Sequence, residues 1–118
     1  MDDFTPVAQV QELTKTDIRE GTGDTVQPGA TITAHYTGAV AATGKVFQSS
    51  KDFGRPISFG LDQVIKGWTE GVPGMKVGGI RRLLIPAAMA YGSTPPPGSG
   101  IPADADLVFD IELVQIDS

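Results

Sequence analysis

The segment "LDQVIKGWTEGV", residues 61–72, is where the periodicity of this sequence changes. Its apolar side chains recur at positions i, i+1, i+4 and i+8, which is typical of one face of a helix. These side chains are Val64, Ile65, Trp68 and Val72. Asp62 stands where an N-cap is expected, and Gly71, followed by Pro73 and Gly74, predicts the end of the helix. This segment predicts one short amphipathic helix.

The segments around this helix have the period of strands. "TITAHYTGAV" (Thr31–Val40) and "LVFDIELVQI" (Leu107–Ile116) place apolar residues at alternate positions, which predicts half-buried antiparallel strands. Further strands are predicted in "VFQSS", "RPISFG" and "KVGGIRRLLIP", and "VAQVQEL" (residues 7–13) could form a first, edge strand. Many strands with one short helix indicate an α+β fold, in which an antiparallel sheet packs over a helix.

The composition sets limits on the class of protein. A chain of 118 residues suits one domain, and 40% hydrophobic with 19% charged residues is ordinary for a globular protein. The net charge of −5 argues against a nucleic-acid partner, and no apolar run approaches the ~20 residues of a membrane span. The absence of cysteine excludes disulfides. The absence of cysteine fits the cytoplasmic location that we expect. It would equally fit an exported domain whose leader had been removed.

The chain lacks the residues that most catalytic mechanisms require. One histidine and no cysteine cannot build a usual zinc site, and "GTGDTV" lacks the pattern of a phosphate-binding loop. A Ser-His-Asp triad would have to use His35, which lies in the middle of a predicted strand, and no serine stands in a nucleophile-elbow pattern. We therefore expect His35 to be structural, and we expect no metal and no cofactor.

Several motifs in register resemble one known family. They are "AHYTGAV", "GKVFQSS", "QVIKGWTEGVPGMKVGG", "AYGS" and "LVFDIEL". Together they are similar to the FKBP-type peptidyl-prolyl cis-trans isomerases, from about Ile18 to Asp117. The resemblance implies a five- or six-stranded antiparallel sheet curled around one short α-helix. It implies an isomerase domain over residues 17–118, with residues 1–16 as an N-terminal extension or edge strand.

The resemblance also implies a function and a site. Such a protein accelerates rotation of Xaa-Pro peptide bonds in an apolar pocket (EC 5.2.1.8) and so assists protein folding. The pocket residues carried over are Tyr36, Phe47, Gln48, Val64, Ile65, Trp68, Tyr91, Ile101 and Phe109. Trp68 would form the floor under the proline ring, and the backbone N–H of Ile65 and the hydroxyl of Tyr91 would donate to substrate carbonyls. Tyr36 and Gln48 would form a polar edge.

Without the resemblance, several of these residues have a plainer interpretation. Trp68 lies at helical spacing with apolar neighbours, and Tyr36 and Phe109 alternate inward on strands, so periodicity alone favours core positions for all three. Tyr91 differs because it lies in a loop rich in glycine and proline, where an aromatic side chain is more often functional.

The chain departs from the family pattern at three places. Gln48 stands where the family usually has aspartate, and Ile57 stands where an aromatic residue often follows the proline of "RPISFG". The loop "STPPPGSG" (residues 93–100) lacks the histidine of some members. The pocket is therefore expected to be more neutral at one edge and less aromatic on one wall.

The expected partners follow from the same resemblance. They are prolyl peptides or unfolded proteins, and the macrolide inhibitors tacrolimus and rapamycin; a monomer is expected. Two alternatives remain open at this point. One is a binding module or chaperone of the same fold with little catalytic activity. The other is that "TPPPGSGIP" is itself a polyproline ligand for an SH3- or WW-like partner.

Overall fold

The computed structural model describes residues 4–50 and 54–117. Its strands are β1 (Thr14–Arg19), β2 (Thr31–Val40), β3 (Val46–Ser49), β4 (Ile57–Gly60), β5 (Ile80–Ile85) and β6 (Leu107–Ile116). The helix α1 is Lys66–Gly71, and Ala87–Met89 forms a 3₁₀ turn. The predicted α+β class, with one short helix, is confirmed. No helix in the described part of the chain is long and apolar enough to cross a membrane.

All six strands belong to one antiparallel sheet. The strand order is β1-β5-β6-β2-β3, and β4 pairs with β2 beside β3. The ten residues of β2 are long enough to serve two partners on one edge: its beginning pairs with β4 and its end with β3. Its other edge pairs with β6 along nearly its whole length. Strand β2 therefore connects β3 and β4 on one side of the sheet to β6 on the other.

The alternation of β2 and β6 places the core on one face of the sheet. Ile32 and Ala34 of β2 are fully buried, as are Ile111 and Leu113 of β6. The register pairs Tyr36 with Ile111, so the inward side chains of the two strands lie side by side. The helix α1 covers this face, which is why the inward positions carry large apolar side chains.

Two glycines let α1 lie close to β5. A Cβ atom on Gly67 would lie 2.5 Å from Cγ2 of Ile85, and one on Gly71 would lie 2.8 Å from Cδ2 of Leu83. Both distances are too short for a real contact. Glycine at these positions therefore lets the helix pack closely against β5. The neighbouring Trp68 is buried by this packing and is only 3% exposed.

The helix begins later than the sequence predicts. Asp62 is not its N-cap: α1 starts at Lys66, and its N-cap residue is Ile65, with no side-chain cap bond. The reason is a turn that follows β4, in which the N–H of Gln63 donates to the carbonyl of Gly60 at 2.9 Å. The residues between β4 and Lys66 therefore form a turn that changes the direction of the chain, and they are not part of the helix. The predicted end at Gly71 is confirmed.

The N-terminal prediction is also corrected. Residues 7–13 form no strand, and the edge strand β1 begins at Thr14. The reason is that this segment is held by isolated bonds: Val7 donates its N–H to the carbonyl of Ala41 (2.8 Å), and Val10 donates to the carboxylate of Asp106 (2.7 Å). The expected domain division after residue 16 stays a prediction, and β1 runs across that position.

Candidate active site

A hollow of about 510 Å³ opens between the segment that leads into α1 and the sheet. This volume is in the range of sites for small molecules and peptides. Its lining residues are Tyr36, Phe47, Gln48, Phe59, Gln63, Val64, Ile65, Trp68, Tyr91 and Phe109. Eight of the nine predicted site residues are among these ten. The ninth, Ile101, lies in an adjoining hollow.

The floor of the hollow is a cluster of interlocked aromatic rings. The ring of Trp68 meets those of Phe59, Phe109 and Tyr36 edge-on, with centroids 4.9, 5.4 and 5.5 Å apart. Phe47 packs edge-on against Phe109 at 5.8 Å. Edge-to-face pairs are the favoured geometry for aromatic rings, so each ring fixes the orientation of the next. The floor is therefore rigid and apolar before any ligand binds.

Gly38 makes room for two of these rings. It lies on β2 opposite Phe109, and a Cβ atom there would lie 2.6 Å from Cε1 of Phe109 and 2.8 Å from Cζ of Phe47. Any larger residue would push the rings into the hollow or out of their contact. The lack of a side chain at this strand position therefore helps to set the shape of the site.

Val64 and Ile65 lie in the segment between the turn and α1. The carbonyl of Ile65 accepts the N–H groups of Trp68 (3.0 Å) and Thr69 (3.2 Å), whereas its own N–H bonds to none of the described residues. The hydroxyl of Thr69 donates to the carbonyl of Leu61 at 2.6 Å, which holds this segment in place. A fixed backbone donor thus lies in the wall of the hollow.

Tyr91 lines the same hollow from the connection between β5 and β6. It follows the 3₁₀ turn Ala87–Met89, is partly exposed, and its hydroxyl bonds to no residue among those described. Hydroxyl groups of this kind both donate and accept hydrogen bonds. Ile65 and Tyr91 therefore add two hydrogen-bonding groups to those of Tyr36, Gln48 and Gln63, in a lining that is otherwise aromatic and aliphatic.

The proline-rich loop forms a second hollow beside the first. This hollow measures about 300 Å³. Its lining residues are Phe47, Gln48, Tyr91, Pro96, Pro97, Gly98, Ser99 and Ile101. Phe47, Gln48 and Tyr91 line both hollows, so the two form one continuous cleft. Ile101 lines the second hollow and is not among the lining residues of the first.

Among residues 4–50 and 54–117, those that line the large hollow include no charged side chain and no histidine. His35 lies in a different depression, where its Nδ1 is 3.0 Å from Oγ of Ser50. That hydroxyl also accepts the backbone N–H of Tyr36 at 2.9 Å. The hydrogen bonds of His35 thus connect β2 to the segment after β3, which agrees with the structural role expected for it.

The described residues thus form a largely aromatic cleft with a fixed backbone donor and a tyrosine hydroxyl. A family model described as FKBP-type peptidyl-prolyl cis-trans isomerase matches residues 23–114, most of the chain. The chain belongs to this family. The resemblance inferred from the motifs, and the isomerase activity that it implies, are confirmed.

Individual relatives of this isomerase agree with the assignment. Over 93 residues the chain is 52% identical to the peptidyl-prolyl cis-trans isomerase FPR2 of Saccharomyces cerevisiae, covering 77% of this chain and 68% of that protein. It is 44% identical to the FK506-binding protein of Streptomyces anulatus, covering 89% of this chain and 86% of that protein. The crystal structure of FkpA from Escherichia coli matches with a TM-score of 0.80 and 40% identity, over 88% of this chain and 47% of that chain.

Two lining residues of the isomerase were missed by the sequence analysis. Phe59 lies on β4 opposite Ile32, and its position in the short alternating segment "RPISFG" was a signal that could have found it. Gln63 gives no such signal, because it lies in the turn before α1, where no periodicity applies. The functional role of each lining residue stays a prediction.

Proposed function

We propose that the prolyl bond of the substrate rotates in the large hollow, with the proline ring on Trp68. The proposed substrates are peptides or unfolded segments with a bulky apolar residue before proline. The observation that carries this proposal is the cluster of edge-on rings around Trp68, which offers an apolar aromatic surface in the lining of the hollow.

The physics of amide rotation favours such a floor. Conjugation gives the peptide bond a rotation barrier of about 18–20 kcal/mol, and uncatalysed Xaa-Pro exchange takes tens to hundreds of seconds. The twisted transition state loses this conjugation, so its carbonyl is less polar than that of the planar amide. Water stabilises the planar state better, and a hollow whose described lining residues are mainly aromatic and aliphatic removes that advantage.

Removal of water does not supply the whole effect. A millionfold acceleration corresponds to about 8 kcal/mol, so the protein must also hold the substrate in a twisted pose. The backbone N–H of Ile65 and the hydroxyl of Tyr91 belong to residues that both line the hollow, and they are proposed to bind the carbonyls on either side of the rotating bond. Gln48 and Tyr36 are proposed to form the polar edge of the site.

The same cleft is proposed to bind macrolide inhibitors such as tacrolimus and rapamycin. Support comes from its size and from a relative at 44% identity that is named FK506-binding protein. We further propose that the protein acts as a monomer in the cytoplasm, which size-exclusion chromatography and cell fractionation would check.

Refolding of a protein limited by proline isomerisation tests the proposal. This isomerase should accelerate the slow phase, and tacrolimus should abolish the acceleration. The variant Val114→Ala is a suitable control, because Val114 is exposed and lies outside both hollows. A folded protein that binds tacrolimus but leaves the slow phase unchanged would be a binding module instead.

A further inference from the structure

The loop that carries Tyr91 connects β5 to β6 and spans residues 86–106. Its two ends meet at the side chain of Asp106. The Oδ1 atom of this carboxylate accepts the backbone N–H of Ala87 at 2.9 Å, and its Oδ2 atom accepts the backbone N–H of Val10 at 2.7 Å. Hydrogen bonds to an ionised carboxylate are stronger than neutral ones, so Asp106 closes the loop at its base.

A chain of backbone bonds leads from that base to Tyr91. The carbonyl of Ala87 accepts the N–H groups of Ala90 (3.0 Å) and Gly92 (2.9 Å). The carbonyl of Gly92 in turn accepts the N–H of Asp104 at 2.8 Å. Tyr91 thus lies between two residues that are both bonded back to Ala87. A shift of Ala87 would therefore move the tyrosine.

The other oxygen of Asp106 is bound to a part of the chain outside the family match, which begins at residue 23. Val10 lies in the segment of residues 4–13, and it is only 8% exposed. The segment is also held at Val7, which donates to the carbonyl of Ala41, while Ala41 donates to the backbone carbonyl of Asp106 at 2.9 Å. The N-terminal segment and the Tyr91 loop therefore share one anchor.

We propose that Asp106 is a positioning residue for isomerisation, which sets Tyr91 through Ala87 and is itself held by the N-terminal segment. Asp106 is not among the lining residues of either hollow. The proposal rests on the proposed role of Tyr91 in binding the substrate. The carboxylate suits this task because it has two acceptor oxygens and no donor, and both bonds that it receives come from backbone N–H groups.

The variant Asp106→Asn tests this role with the smallest change in shape. An amide offers one acceptor oxygen and one NH₂ group, so one of the two N–H groups loses its acceptor and faces a donor. The variant Asp104→Asn is the matched control. It removes the same charge two residues away, its side chain is exposed, and asparagine tolerates the left-handed conformation that Asp104 adopts at φ 57°.

The assay measures kcat and KM for a prolyl peptide in wild type, Asp106→Asn, Asp104→Asn, Tyr91→Ala and the double variant Asp106→Asn/Tyr91→Ala. We expect Asp106→Asn to raise KM about threefold to tenfold, the equivalent of one lost hydrogen bond, with a smaller change in kcat. Asp104→Asn should match wild type. In the Tyr91→Ala background, Asp106→Asn should change KM by less than about twofold, because positioning has no effect once the positioned side chain is gone.

Each outcome decides between the two proposals. If Tyr91→Ala raises KM but Asp106→Asn leaves it unchanged, or raises it by the same factor in both backgrounds, Asp106 does not act through Tyr91 and the inference is overturned. If Tyr91→Ala leaves kcat and KM unchanged, the proposed role of Tyr91 fails, and the inference fails with it. Thermal denaturation of every variant separates these effects from loss of folded protein.

Discussion

Trp68→Leu perturbs the floor of the hollow while it keeps an apolar side chain. The substitution removes three edge-on ring contacts, with Phe59, Phe109 and Tyr36. At about 1 kcal/mol for each pair beyond simple burial, the loss is about 3 kcal/mol. The Nε1–H of Trp68 is buried without a partner among the described residues, and its removal returns about 1 kcal/mol. Leucine is also smaller than the buried indole, which adds about 1–2 kcal/mol for lost burial and the residual cavity. We expect a net loss of about 3–4 kcal/mol in the free energy of unfolding, on the balance of these terms.

A loss of this size leaves a typical domain folded, because such domains have about 5–15 kcal/mol of stability. The activity should fall further than the folded fraction does. Leucine offers no flat face to the proline ring, and we expect kcat/KM to fall about tenfold, the equivalent of about 1.4 kcal/mol. Trp68→Phe is the matched control, since it keeps a ring and also removes the unpaired N–H. It should lose less activity than Trp68→Leu.

The assay combines urea denaturation with the isomerisation rate of a prolyl peptide, measured at equal concentrations of folded protein. Full activity in a folded Trp68→Leu protein would refute the assignment of Trp68 as the floor. Equal losses in the leucine and phenylalanine variants would show that the indole matters for something other than an aromatic surface.

Three further predictions concern the same cleft. Gly38→Ala should destabilise the protein by about 1–3 kcal/mol by overpacking and raise KM, because the new methyl group would displace Phe47 and Phe109. Thermal unfolding and peptide kinetics check this, and an unchanged stability and KM contradict it. The value of kcat/KM should be flat from about pH 5.5 to 8.5, because no lining residue in the described part of the chain has a side chain that ordinarily titrates there. A bell-shaped profile that vanishes in His35→Gln argues for acid-base chemistry. Gln48→Asp should tighten rapamycin binding by about 0.5–1.5 kcal/mol through a charge-assisted bond to a ligand hydroxyl, with little change in peptide turnover; equal affinities by fluorescence titration contradict this.

The sheet could be predicted because its strands alternate strictly. In β2 the odd and even positions differ in burial along most of the strand, so the period of two was visible without any structure. The start of the helix could not be predicted as well. Asp62 is a chemically suitable cap, but the backbone bond between Gln63 and Gly60 uses these residues in a turn. This turn is fixed in the fold by Leu61, which donates its N–H to the carbonyl of Ala30 at 3.0 Å, and local propensity does not report such a long-range bond.

The site could be predicted only through resemblance. Trp68, Tyr36 and Phe109 are apolar residues on inward faces, and periodicity alone does not distinguish a core from the floor of a hollow. The link between Asp106 and the N-terminal segment was not predictable, since it joins residues 96 positions apart. Residues 7–13 form no strand for the same reason, since long-range bonds that the local sequence does not reveal hold this segment.

The central claim is that this chain catalyses prolyl isomerisation in the hollow around Trp68. The most direct measurement is the cis-to-trans rate constant of a short peptide with leucine before proline, followed by NMR exchange with and without the protein. We expect a rate proportional to protein concentration, lowered about tenfold per enzyme in Trp68→Leu, the same loss of about 1.4 kcal/mol. Rates equal to the uncatalysed reaction in the presence of folded protein would contradict the claim.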